Sequence, residues 1–106
     1  MFGRQVTLKL KANSATELTR IATTEILPIL RKQKGFRDET TFIAPERSEA
    51  IVNSFWDTKA DAEAYGHTAY AEVLKALSNV IDGTPTVKNF EFASSTIQPV
   101  AASKLV

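Results

Sequence analysis

The segment Ile51-Val52-Asn53-Ser54-Phe55-Trp56 constrains this chain more than any other. Its β-branched and aromatic residues mark a strand, and successive strand side chains point to opposite faces of a sheet. Here both parities carry large apolar groups: Ile51 and Phe55 on one side, Val52 and Trp56 on the other. A strand apolar on both sides expects cover on both sides. The rest of the chain must be read for where two covering layers come from.

Phe2, Val6, Leu8 and Leu10 alternate with Gly3, Gln5, Thr7 and Lys9, and this period of two predicts a first strand. Asn13-Ser14 ends it, and Ser14-Ala15-Thr16-Glu17 fits a capping box at the start of a helix. That helix is expected from Ala15 to Lys34, with Leu18, Ile21, Ala22, Ile26 and Ile29 on one arc and Gly35 supplying the positive φ that closes it. Pro28 lies inside and predicts a kink. Phe36 to Ala44 reads as a second strand, joined through the polar turn Pro45-Glu46-Arg47-Ser48 to the Ile51–Trp56 strand as a hairpin. Thr58-Lys59-Ala60-Asp61 resembles a second capping box, opening a helical region that runs to about Ile81 and is split near Gly66-His67-Thr68. Asp82-Gly83-Thr84-Pro85 is read as a stop, and Thr86 to Ala93 as a fourth strand.

The element order is strand, helix, strand, repeated twice. It predicts an α+β fold of the ferredoxin-like type, βαββαβ, with a four-stranded antiparallel sheet and two helices on one face. One domain is expected over residues 1–96, followed by a tail at 97–106 that is rich in Ser, Gln, Pro and Ala. Right-handed β-α-β connections send both helices to the same face. The other face, with Ile51 and Phe55, is then apolar and uncovered, which marks an interaction surface. A second copy packing sheet to sheet covers it, so the sequence predicts a homodimer closed through the open sheet face as an α/β barrel. A chain of 106 residues holds one modest core and little room for a private pocket. Any ligand cavity is expected to need the second copy.

Several function classes fall away. A net charge of +1 gives no basic field for nucleic acid. Arg31, Lys32, Lys34 and Arg37 cluster, but the first three sit in the expected last helical turn, where cations complement the helix dipole. There is no cysteine, and with one histidine no metal-ligand spacing exists. No glycine-rich phosphate loop occurs and no nucleophile triad can be argued from residue order, so no cofactor is implied. No apolar run approaches the ~20 residues of a membrane span, the first strand's alternation is not a signal peptide, and Ser103-Lys104-Leu105 is followed by Val106 and is not a peroxisomal address. A cytoplasmic protein is expected.

Five residues are candidates for chemistry. His67, the single histidine, is the natural proton-transfer group. With Tyr65 or Tyr70 it could orient and deprotonate a phenolic or enolic substrate, or it could simply begin the second helical piece at the surface. Asn53 lies among residues that want burial; its amide could hold a substrate carbonyl inside the barrel or pair with Thr40 or Thr41. Glu25 falls near the apolar arc of the first helix, where burial would raise its pKa and make it a base, unless the Pro28 kink turns it to solvent. Trp56 is expected as core beneath a helix.

The stretch Phe55-Trp56-Asp57-Thr58-Lys59-Ala60-Asp61-Ala62-Glu63-Ala64-Tyr65 resembles the corresponding segment of dimeric α/β-barrel proteins, in particular those named after the antibiotic-biosynthesis monooxygenases. Ile29-Leu30-Arg31 through Gly35-Phe36 and the Val87–Phe92 strand sit where that family places a helix end and its last strand, so the resemblance covers about residues 2 to 96. It implies the fold and the dimer, and it suggests oxidation of a small aromatic or enolic substrate without metal or flavin. Haem-degrading relatives use an asparagine on strand one and a tryptophan and histidine on the second helix. This chain has Gln5, Tyr65 and Lys75 nearest those places, which argues against that activity. The other reading is a non-catalytic dimeric module that binds a small ligand or a partner. A partly apolar cavity with convergent polar groups would favour the enzyme, and a filled interior the module.

Overall fold

A computed structural model describes residues 1–94. Strand β1 (Phe2–Leu10) leads into α1 (Ala15–Ile21), a π-helical turn (Ala22–Ile26) and α2 (Leu27–Arg31). A hairpin of β2 (Phe36–Ile43) and β3 (Glu49–Trp56) follows, then α3 (Lys59–His67), α4 (Tyr70–Leu77) and β4 (Ile81–Glu91). The four strands form one sheet in the order β2-β3-β1-β4, every neighbouring pair antiparallel. This is the ferredoxin-like arrangement. The tail expected at 97–106 lies outside the described residues.

The alternation in β1 and β3 sorts the sheet into two faces. Phe2, Val6, Leu8 and Leu10 of β1 and Ala50, Val52 and Trp56 of β3 are buried in one cluster with Leu18, Ile21, Ile26 and Leu30 of the first helical layer. Tyr65, Val73 and Leu77 of the second layer belong to the same cluster. Both helical layers therefore cover one face, and Trp56 is wholly buried beneath them. On the other face stand Ile51, Asn53 and Phe55 of β3, Thr40 and Phe42 of β2, and Phe90 of β4, in cross-strand rows with Gly3, Gln5 and Thr7 of β1. Phe42 is 61% exposed and Phe90 50%.

Several local expectations are met for the stated reasons. Asn13 takes φ 60° where the first strand stops, and Gly35 takes φ 81° after the first helix. A Cβ on Gly35 would also strike the Asp61 side chain, so the turn and the start of α3 are fitted to each other through this glycine. Thr58 caps α3, its hydroxyl accepting from the Asp61 amide at 3.1 Å. The helical region does break, at Thr68 (φ −126°, ψ −88°).

Three expectations need correction, and the irregularity at Pro28 takes a particular form. Ser14 stands at the helix start, but its hydroxyl donates to the Ala12 carbonyl at 3.4 Å instead of capping, and Glu17 pairs with Arg20 instead of closing a box. Pro28 stays inside a continuous helical run, and the irregularity at this place is a widened turn just before it. Proline has no amide to offer the Thr24 carbonyl, and the mismatch is taken up one turn earlier, where the Leu27 amide reaches back five residues to the Ala22 carbonyl. The second helical region ends at Leu77, not Ile81, because Ile81 is drawn into the sheet opposite Leu10. The Asp82-Gly83-Thr84-Pro85 stop lies within β4, as a bulge: Thr7 pairs Thr86 while Lys9 pairs Asp82. Gly83 supplies the positive φ that this bulge requires.

Candidate functional site

The rows that cross the helix-covered face are mainly apolar, with one exception. Register places Phe36, Trp56 and Phe2 in one row and Thr41, Val52, Val6 and Val87 in another. Between them runs Glu39–Ser54–Arg4–Asn89, a polar row under the helices. Its two central members are buried, Ser54 at 5% exposure and Arg4 at 9%. Ser54 is satisfied, accepting from the Trp56 indole Nε1 at 2.9 Å.

Arg4 is not. Among the described residues no carboxylate pairs with it, and its Nε is buried with no hydrogen-bond partner. Its guanidinium carbon lies 4.4 Å from the Tyr70 ring centre and 5.5 Å from that of Tyr65. Tyr65 in turn stacks on Trp56 at 4.9 Å between ring centres and meets Tyr70 edge-on at 6.0 Å. A Cβ on Gly66 would come within 3.0 Å of Arg4 Nη1, so the helix is cut back where the guanidinium rests against it.

These groups line a cavity of about 20 Å³ at the seam between the helices and the sheet, with Ile26, Leu30, Val52, Val73 and Leu77 as its apolar wall. That is room for about one water. Burial pushes the Tyr65 hydroxyl well above the ordinary phenol range, opposed by the Arg4 charge. Tyr70 is raised by burial too, with the charge of Arg4 and a hydrogen bond from it opposing. Both tyrosines are neutral hydrogen-bond donors near pH 7. At the far end of the polar row Glu39 is half-buried and its carboxyl is raised by burial, a hydrogen bond from Thr41 opposing.

Of the residues expected from sequence, the structure brings Tyr65 and Tyr70 together at this cavity. His67 is exposed and does not line it. Asn53 points to the open face and donates to the Thr40 hydroxyl at 3.3 Å. Glu25 is exposed and pairs with Arg20 at 3.3 Å, because the π turn carries it out of the apolar arc. Gln5, on the odd parity of β1, also faces away from the helices. Arg4 went unnoticed, yet parity gives it away: it shares the phase of Phe2, Val6 and Leu8, and an arginine in that phase must be buried. Ser54 follows from Val52 and Trp56 in the same way. Among the described residues no group of His, Asp and Glu could hold a metal ion, and no helix is long and apolar enough to cross a membrane.

Fold and cavity together define a ferredoxin-like α+β domain with a small aromatic and cationic pocket between its helices and its sheet. This fold is the one found in antibiotic-biosynthesis-monooxygenase-like proteins. The chain is similar to the ActVA-Orf6 monooxygenase of Streptomyces coelicolor, whose structure is in complex with the ligand nanaomycin D. The two share 19% identity over 92% of this chain and 91% of that one, with a TM-score of 0.77. A protein of unknown function from Nitrosomonas europaea is similar at 16% identity, over 92% of this chain and 93% of that one, with a TM-score of 0.72. A candidate antibiotic biosynthesis monooxygenase from Nitrosomonas europaea is similar at 12% identity over 89% and 100% of the two chains, with a TM-score of 0.71. No family model matches this chain, and no curated protein matches it in sequence.

Proposed function

We propose that this protein is a small dimeric cytoplasmic oxygenase that oxidises an electron-rich aromatic or enolic molecule with dioxygen, without metal or flavin. The observation that carries the reading is the convergence of Arg4, Tyr65 and Tyr70 on one cavity inside an apolar wall. A cation in a dry site favours the ionised form of a bound phenol or enol, and an enolate or phenolate is electron-rich enough to give electrons to dioxygen. In the overall step a CH₂ carbon of the substrate becomes a carbonyl. One oxygen atom of dioxygen forms that C=O, and the other leaves as water with the two hydrogens from the carbon. The four electrons lost by carbon are the four gained by dioxygen. Tyr65 and Tyr70, raised by burial and neutral at physiological pH, do not act as bases, and Tyr65 is the donor to the developing oxyanion.

The dimer belongs to the same reading. Phe42 and Phe90 stand exposed on the open face with Phe55 and Ile51 beside them, and the sheet carries no helix there. A second copy, placed face to face, removes that surface from water.

The test is dioxygen uptake by the purified protein with a panel of naphthols, hydroquinones and enolic diketones, with labelled dioxygen followed into product. Uptake above the uncatalysed rate with one labelled atom in the product supports the reading. No uptake with any of them overturns it. One observation favours the alternative, a ligand-binding module: the lining of the cavity holds no carboxylate or histidine to accept a proton. That alternative predicts saturable binding with no dioxygen uptake.

A further inference from the structure

Nε of Arg4 is the one buried side-chain polar atom lining this cavity that no hydrogen bond of the described residues meets. A buried charge is retained at considerable cost unless it is paired and hydrogen-bonded. Here rings lie at 4.4 and 5.5 Å and the guanidinium donates to the Tyr70 hydroxyl, but Nε has no partner, and no carboxylate of the described residues pairs with the charge. Glu39 shares its cross-strand row but stands two strands away and receives the Thr41 hydroxyl. The surroundings are nonetheless shaped to hold the group, because glycine at 66 leaves Nη1 the space that a Cβ, 3.0 Å from it, would crowd. The planar fork of an arginine matches a planar oxyanion in two places at once.

We infer that Arg4 is an oxyanion-binding residue, and that the ligand is a small planar aromatic bearing a carboxylate or an ionised phenol or enol oxygen, with the Tyr70 ring occupying the place the ligand's ring takes. The cavity of about 20 Å³ admits no aromatic ring as it stands, so a side chain must yield. Tyr70 is the one able to. It is half-buried, opens α4, and follows the irregular backbone of Thr68, whereas Tyr65 is buried and clamped on Trp56. The ring centre of Tyr70 already lies 4.4 Å from the guanidinium carbon, so an aromatic is accommodated beside the cation. This inference rests on the cavity being the ligand site, and it names the chemistry of the ligand without requiring that the ligand be oxidised.

Trp56 is the single tryptophan of the chain and stacks on Tyr65, which lines the cavity, so its emission is a reporter of changes there. Benzoate, 4-nitrophenolate and the neutral isostere benzamide are titrated into the full chain. Benzoate or nitrophenolate is expected to change the emission saturably, with benzamide weaker by about tenfold or more, the value of a charge-assisted hydrogen bond. Which of the two anions binds better tells a carboxylate ligand from a phenolate one. Arg4→Met should remove the preference for the anion, and Gly66→Ala, which favours the helix, should weaken anion binding by crowding Nη1. Tyr70→Ala should bind benzoate as tightly as the parent or more so, and loss of binding there overturns the place-holder role. Equal affinity for benzoate and benzamide, no binding of either anion at millimolar concentration, or a preference that survives Arg4→Met overturns the assignment of Arg4. Anion binding without dioxygen uptake would leave this inference standing and sink the oxygenase, and uptake with no anion preference would do the reverse.

Discussion

Replacing Arg4 by methionine should stabilise the ligand-free protein, although it removes a residue packed at the centre of the fold. Arg4 is 91% buried by its 9% exposure, and a desolvated ion costs several kcal/mol after relaxation. Its two ring contacts, at 4.4 and 5.5 Å, return about 0.5–2 kcal/mol each, the longer at the lower end. Methionine keeps an unbranched stem of similar length and fills irregular space. Exchange of buried ionic groups for packed apolar ones stabilises by about 1–4 kcal/mol where the charges are poorly compensated. That range is already net, and because the rings and a hydrogen bond to Tyr70 compensate part of this charge the gain is placed at its lower end, about 1–2 kcal/mol. For a chain of this length that is a rise of roughly 5–10 °C in the unfolding midpoint. Thermal unfolding followed by circular dichroism at pH 7, without ligand, measures it. A midpoint that is unchanged or lowered in Arg4→Met would refute the reasoning, because it would mean that the rings alone satisfy the charge and that Arg4 is there for stability.

Four further outcomes follow from the same structure. Phe90→Lys should convert the protein to a monomer in size exclusion with light scattering, since a charge on the open face resists being buried against a second copy; a dimer that persists contradicts the sheet-to-sheet arrangement. Gly35→Ala should destabilise by about 1–2 kcal/mol or more from its φ of 81° alone, with the Asp61 clash added, and a denaturation midpoint within error of the parent would contradict it. Ser54→Ala should cost about 1–3 kcal/mol by leaving the Trp56 indole N–H buried and unpaired, read by urea denaturation. Burial raises the Glu39 carboxyl, so the folded chain holds this proton more tightly than the unfolded one, and the group's contribution to stability is present at low pH and lost as pH rises through the raised value. Glu39→Gln should therefore raise the midpoint at neutral pH, with the gain disappearing below the usual carboxylate range.

The sheet and its layers were readable because period-two alternation is a direct image of burial. The Ile51–Trp56 strand with Val52 and Trp56 under the helices, the Thr58 cap and the Gly35 turn each appear in the structure for the reason given from sequence. What was not readable depends on choices made by distant residues. Asp82-Gly83-Thr84-Pro85 has the composition of a stop, but Leu10 and Lys9 recruit the flanking chain into β4 and turn the motif into a bulge. The serine at 14 has a capping sequence, yet a competing local acceptor at Ala12 takes its hydroxyl. The widened turn before Pro28 is one of several ways to absorb a missing amide, and only packing selects it. In the site, Tyr65 and Tyr70 were legible as aromatics on a helix face. His67, two residues on, faces solvent because α3 ends there. Arg4 was hidden because a charged residue in a strand is ordinarily assigned to water, and its phase with Phe2 and Val6 says otherwise.

The most direct examination of this account is the Nε–H resonance of Arg4 in isotope-labelled protein as benzoate is added. If the pocket exists to hold an oxyanion against that nitrogen, the signal shifts downfield and exchanges more slowly at saturation, and benzamide leaves it where it was. A resonance that does not move while benzoate is bound elsewhere would place the ligand away from Arg4 and remove the basis for the proposed chemistry.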